Sequence, residues 1–304
     1  MDGIAMSTKN ESKIAQIGSP LLFGLILTLI YGLTAYIAEL LNLEHVLFAE
    51  NLSAFETIFF KFLTRFTFSG ILWIILIPFA LYYMKGISSR DYVDSTRLHP
   101  DRISTRSILL GLIVSFTFVI CIVLTAIFLG VYTSNFSLLV SPDYEDGLGW
   151  FIFVFALIPG IWEEIAFRGV ILSFLMSKYP LRKALIFDGV LFSLFHIFNY
   201  LILGQELIDV LLQSLAAVAV GVALAYLVVK TGSLLPAIMI HYSIDVTLFI
   251  SGFIFDLSDT SSALVFALLA LIVLPPVLIF LFTYTFGDNR TSEITNSKIL
   301  EDFP

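Results

Sequence analysis

Glu163, Glu164, Arg168, His196, His241 and Asp245 are residue types that move protons or activate water, and they sit in stretches otherwise nearly free of charge. The first three form the string Trp162-Glu163-Glu164-Ile165-Ala166-Phe167-Arg168, of the form E-E-x-x-x-R. On a helix, Glu164 and Arg168 lie four apart, share a face and can pair. Glu163 stands ~100° from Glu164 and ~140° from Arg168, so it points elsewhere and stays available for proton transfer. Phe192-Ser193-Leu194-Phe195-His196 offers an imidazole, with Asn199 three residues on along the same face. His241 and Asp245, four apart, also share a face. Each feature has a plain structural alternative. The E-E-x-x-x-R string can be an interfacial salt bridge with long side chains reaching for water. A lone membrane histidine can be a hydrogen bonder between helices. The other two histidines, His45 and His99, fall in loops.

The surrounding composition sets the solvent. Hydrophobic residues are 59% of the chain and charged residues 13%, with a mean hydropathy of +0.98, too apolar for a soluble domain that needs a polar surface. Lipid is therefore the expected surrounding and the bilayer a partner. The net charge of −8 is spread over loops and tails without a block, so it identifies no partner, and nothing suggests nucleic acid. One cysteine, Cys121, excludes an intrachain disulfide, a thiolate zinc cluster and a CxxC redox pair; packing is its expected role. A polar stretch precedes a first apolar run too long for the core of a signal peptide, so that run is expected to remain as an anchor.

A hydrocarbon core of roughly 30 Å needs helices of about 20 apolar residues. On that measure the chain predicts an all-α, polytopic transmembrane bundle of about eight spans. They run Pro20–Leu41, Phe68–Met84, Ile108–Val131, Leu148–Ile161, Ala184–Leu203, Leu207–Val229, Leu234–Phe255 and Ala263–Phe286. The fourth continues as one long helix through Arg168 towards Tyr179. Residues 1–18 form an N-terminal tail, 19–146 carry spans 1–3, 147–256 the catalytic core of spans 4–7, 257–286 span 8, and 287–304 a disordered tail. An even count puts both termini on one side. With the termini cytoplasmic, all of the 16 basic residues except Lys61 and Arg65 fall on the cytoplasmic side, as the positive-inside rule requires. A multi-pass protein of the plasma membrane is expected.

Charges at membrane depth cost roughly 2.5–3.5 kcal/mol each on insertion scales and are functional by default. Counted from the span ends at ~1.5 Å per residue, His196 lies ~18 Å and His241 ~10 Å from the cytoplasmic ends, and Glu163 ~9 Å. That count places the three groups in the cytoplasmic half, in one water-filled cavity opening inward.

From about Leu148 to Asp245 the chain resembles the CPBP family, the CAAX-processing and bacteriocin-processing membrane peptidases that include the type II CAAX prenyl endopeptidases. The pattern is E-E-x-x-x-R, then F-x-x-x-H, then H-x-x-x-N or H-x-x-x-D, on successive helices. Glu163 to Arg168, Phe192 to His196 and His241 to Asp245 match it in order. The resemblance implies hydrolysis of a peptide bond in a membrane-associated peptide or protein, with Glu163 and His196 activating a water. Glu164, Arg168 and Asn199 would support them. It also implies an oxyanion hole from His241 and the residue four further on. Here that residue is Asp245, and an ionised carboxylate cannot donate a hydrogen bond. Asp245 is then protonated, or orients His241, or binds a metal.

Glu163, His196, His241 and Asp245 are also a candidate zinc set, and zinc is the one cofactor these residue types suggest. A water activated by Glu163 and His196 needs none, and H-x-x-x-D lacks the H-E-x-x-H spacing of a zinc protease. Two other functions share the features. A non-catalytic CPBP-like scaffold or immunity protein would keep the fold, whereas a proton-coupled transporter would use the same groups as a relay. The transporter reading lacks a matching pair of Gly/Pro-broken helices in two halves.

Overall fold

The computed structural model describes residues 19–41, 54–97, 103–133, 149–198, 204–256 and 260–287, together with 200 and 258. The expected tails, His45, His99 and Asn199 lie outside the described residues. The described elements are helices α1 (Pro20–Leu40), α2 (Phe55–Lys85), α3 (Ser89–Thr96), α4 (Thr105–Phe128) and α5 (Gly149–Met176), followed by α6 (Leu181–His196), α7 (Leu207–Thr231), α8 (Leu235–Phe249) and α9 (Ser261–Phe286). Among them the only strand-like pairing is an antiparallel bridge between Tyr132 and Phe255. The protein is an all-α helical bundle.

Local chemistry explains the helix ends. Pro20 begins α1 behind Ser19, whose hydroxyl accepts from the Leu22 amide. Capping boxes at Ser88/Asp91 and Ser104/Ser107 start α3 and α4. Between α2 and α3, Gly86 turns the chain in the left-handed region at φ 63°. The Tyr92 hydroxyl of α3 donates to the Trp73 carbonyl at 2.6 Å, and burial pushes this phenol up from its ordinary range. In α2, α5 and α9 the α-helical pattern gives way to π-helical turns (Ile71–Leu76, Pro159–Glu163, Ile165–Ile171, Leu268–Val273). Prolines 78, 159, 275 and 276 stand at or just beyond these turns. A proline lacks the N–H that the preceding turn needs, and a locally wider turn accommodates the break.

Six helices, α1, α2, α4, α5, α7 and α9, are long and apolar enough to cross a membrane, and α8 is a shorter apolar helix. Each carries large apolar side chains on its outer face, such as Phe116, Leu124 and Tyr284, which lipid rather than water would cover. The protein is an integral membrane protein. Of the six, α5 is the inner one, 56% buried along its apolar stretch against 28–35% for the others. Around it, α8 packs on α4 and on the Pro159–Glu163 turn, and α6 packs on α7 and α1.

The helix bounds differ from the hydropathy reading in two places that matter. The second helix begins well before Phe68, so Lys61 and Arg65, expected in an outer loop, lie within α2. Hydropathy stops at such charges, but the Arg65 guanidinium is neutralised by Glu39 of α1 at 2.6 Å, and the helix continues through it. The regular part of α6 ends at His196 rather than running on to Leu203.

Long-range contacts define the two ends of the bundle. At one end Arg97 donates to the Arg168 carbonyl, Leu234 N donates to the Arg97 carbonyl, and Arg106 donates to the Phe286 carbonyl. This end carries Lys85, Arg90, Arg97, Arg106, Lys178, Arg182, Lys183 and Lys230. At the other, Thr133 N donates to the Ile254 carbonyl and Phe155 packs on Phe249. There Glu39, Glu56, Glu206, Asp209 and Asp256 outnumber Lys61 and Arg65.

Candidate active site

The two glutamates sit where the two π-helical turns of α5 meet, Glu163 closing the first and Glu164 lying between them. Single π turns recur at functional sites because the widened turn re-aims side chains out of α-helical register. What brings α8 to them is Gly160. A Cβ there would stand 3.2–3.4 Å from the Tyr242 backbone and Cβ, tighter than an ordinary contact, so glycine favours this close approach of the two helices. His241, one residue before Tyr242, is thereby set against both glutamates.

One buried chain of contacts follows. Nδ1–H of His241 donates to Oε1 of Glu164 at 2.7 Å, and Nη1 of Arg168 donates to the same oxygen at 2.8 Å. On its far side Arg168 Nε lies 3.4 Å from Oδ2 of Asp188 in α6. Glu164, Arg168 and Asp188 are all 0% exposed. The guanidinium lies 4.1 Å from the centre of the Phe192 ring, a cation–π contact worth most where water is absent. Space for it comes from a close crossing of α6 and α7, where a Cβ on Gly221 would stand 2.8 Å from the Gly189 Cα and 3.2 Å from Arg168 Nη2. Burying such charges is tolerable only because they are matched with one another.

The remaining site residues face open space. Glu163, His196, His241 and Asp245 all line one cavity of about 610 Å³, and Glu164 and Arg168 do not. Nε2 of His241 points to it, 3.4 Å from Oδ2 of Asp245 and 3.8 Å from Oε2 of Glu163. Neither carboxylate oxygen has a hydrogen-bond partner. Asp245 therefore approaches the cavity-side nitrogen, and the Nδ1 that an orienting group would hold is taken by Glu164. His196, on the last turn of α6, has Nδ1 2.9 Å from the Phe192 carbonyl. With Nδ1–H donating there, Nε2 is the nitrogen left for chemistry. Its ring meets Phe192 edge-on at 4.7 Å, and Phe192 in turn meets the His241 ring at 5.6 Å.

Among the described residues no group of three or more His, Cys, Asp or Glu side chains comes together to hold an ion.

The cavity's lining extends beyond the site residues. It runs outward through Arg65 of α2, Gln205, Asp209 and Gln213 at the start of α7, Leu248 near the end of α8 and Ser251 just past it. All of these lie towards the acidic end. Towards the basic end, the Glu164–Arg168–Asp188 layer and Arg97 behind it close the floor. A cavity opening on the side of the basic loops was expected; the lining residues reach towards the acidic end. The depth of His196 was counted from a hydropathy boundary at Leu203, whereas the regular part of α6 ends at His196.

Asp188 escaped the sequence reading, although a single carboxylate in the middle of Leu181–His196, four residues before Phe192 and eight before His196, was signal enough. Arg97 gave no comparable signal, because it looks like any loop arginine until the fold brings it to the Arg168 carbonyl.

Residues 146–247 match the family model described as Type II CAAX prenyl endopeptidase Rce1-like. Comparison with curated proteins gives no match. The matched stretch runs from just before α5 to just past Asp245 and so takes in Glu163, Glu164, Arg168, Asp188, His196, His241 and Asp245; over this third of its length the chain is similar to the CAAX-protease family of membrane peptidases.

Proposed function

We propose that the chain is an intramembrane endopeptidase in which Glu163 and His196 activate a water without a metal. The observation that carries this reading is the separation of roles along α5. Glu163 lines the cavity, while its neighbour Glu164 lies outside the lining and holds His241 and Arg168 through Oε1.

In the proposed reaction the peptide carbonyl lies in the cavity beside Nε2 of His241. Glu163, with His196, takes a proton from the water as its oxygen bonds to the carbonyl carbon. The oxyanion that forms faces His241, which Glu164 holds in place from behind. The proton then passes to the amide nitrogen as the C–N bond breaks, releasing an amine and a carboxylate. Asp245, protonated, adds a second donor to the oxyanion, the role that its place beside Nε2 favours over orienting His241. The substrate is a membrane-associated peptide or protein, with a CAAX-type C-terminus as one candidate. Eight membrane crossings, both termini in the cytoplasm and residence in the plasma membrane complete the proposal.

The test is cleavage of a membrane-delivered peptide by purified protein in detergent, with metal analysis of the same sample. Turnover by metal-free wild type and none by Glu163→Gln is the expected result. Cleavage by both proteins sinks the assignment, and activity that tracks bound zinc sinks its metal-free form.

A further inference from the structure

Resting on the hydrolase reading, we infer that Arg65 of α2 is a specificity residue whose guanidinium takes a carboxylate of the substrate, either its C-terminal carboxylate or an acidic side chain near the scissile bond. Arg65 lies outside the stretch matched to the family, and the proposed reaction leaves it unused.

An arginine within an apolar span is costly unless it is paired or put to use. Arg65 is paired, but on one side only. Its Nε and Nη2 both donate to Oε2 of Glu39, at 3.2 and 2.6 Å, and Glu39 takes no part in lining the cavity, whereas Arg65 does. Nη1 makes no hydrogen bond among the described residues. A guanidinium carries five N–H groups in a planar fork, so the Glu39 pair fixes its plane and leaves donors for a second anion. The side chain keeps 21% of its surface exposed. The ring of Phe155, another lining residue, lies 5.8 Å from it.

Reach to the reacting groups is the second observation. Ser69 stands one helical turn beyond Arg65 on the same face of α2. It shares a hydrogen bond with the Tyr31 hydroxyl, which lies within electrostatic reach of both Arg65 and Glu163. All four residues line the cavity. The cation and the carboxylate that activates water therefore belong to one stretch of wall, and a peptide whose carbonyl lies at Glu163 brings a nearby residue to Arg65. Among the described residues Arg65 is the one Lys or Arg in the lining, against the carboxylates of Glu163, Asp209 and Asp245. A negative charge on the substrate is repelled elsewhere and accommodated there. A salt bridge that only held α1 on α2 would need neither the spare donors nor the place on the wall.

Binding without turnover tests the anion site apart from hydrolysis. An apolar peptide in detergent micelles is made in three forms: with a free C-terminal carboxylate, with a C-terminal amide, and with an amidated end but aspartate as its last residue. Dissociation constants are measured on full-length Glu163→Gln protein, with and without Arg65→Gln. At least one acidic peptide is expected to bind about 10- to 100-fold tighter than the plain amide, the usual worth of a hydrogen bond between charged groups. Arg65→Gln should abolish that preference. Which acidic peptide is preferred tells a chain end from a side chain. Glu39→Gln, which frees the guanidinium, should keep or strengthen the preference; Glu39→Gln with Arg65→Gln, in which no charge is stranded, should lack it and decides the matter if the single variant fails to fold. No preference in the protein that carries Arg65, or the same preference without it, overturns the proposal. So does an equal loss for all three peptides in Arg65→Gln, which makes the residue structural. Cleavage of the same peptides by wild type is read separately. Its absence beside an Arg65-dependent preference upholds the anion site and counts against hydrolysis instead.

Discussion

One oxygen of Glu164 accepts from His241 Nδ1 at 2.7 Å and from Arg168 Nη1 at 2.8 Å, so a single carboxylate holds the imidazole of one helix and the guanidinium of its own. Glu164→Ala strands both partners in a water-free layer. It is expected to lower stability by about 3–5 kcal/mol, seen as a fall in thermal midpoint or yield in detergent. Because the two residues share one bond, Glu164→Gln combined with Arg168→Met should cost clearly less than the sum of the single changes. Additive costs in that double-mutant cycle would refute the coupling.

Glu163 is the opposite case. It makes no hydrogen bond through Oε2 and faces the cavity, so Glu163→Gln should leave the unfolding midpoint unchanged while cleavage falls about 10²–10⁴-fold, the usual worth of a general base. His196→Ala should behave the same way. A loss of folded protein matching the loss of turnover would make either residue structural.

Asp188 has contacts with Arg168 but none with the cavity. Asp188→Ala should reduce the amount of folded protein, whereas the molecules that do fold should retain their KM. Asp188→Asn, which keeps the shape, should recover part of the loss. A large fall in kcat with normal stability would mean that Asp188 reaches the chemistry through Arg168 and Glu164.

At Gly160 the question is distance alone. A Cβ would stand 3.2 Å from the Tyr242 Cβ and 3.3 Å from its Cα, so Gly160→Ala is expected to shift α8 by a few tenths of an ångström and His241 with it. A cost of about 1–3 kcal/mol is expected from the overpacking, with a fall in kcat larger than the fall in stability because misplaced groups lose rate steeply. Unchanged kcat would show that the close approach is not needed.

Asp245→Asn distinguishes the roles open to that residue. An amide can donate where an ionised carboxylate cannot, so retained or raised turnover fits an oxyanion donor, and loss of turnover together with loss of bound zinc fits a ligand.

The sequence by itself determined the membrane class, the all-helical fold and the pairing of Glu164 with Arg168. Each depends on composition or on spacing within one helix, and the 3.6-residue repeat carries such information locally. It also marked Glu163, His196, His241 and Asp245, because charge in an apolar run is conspicuous wherever the helix goes. Only the tertiary structure decided that Glu164 holds Nδ1 of His241 and leaves Nε2 to the cavity, since this depends on how closely α8 crosses α5 at Gly160. The same holds for Asp188 against Arg168, which the α6–α7 crossing brings into register. It holds too for the extent of the cavity. Hydropathy finds the apolar middle of each helix but not its ends, so the end of α6 at His196 and the lining contributed by the start of α7 follow only from the folded chain.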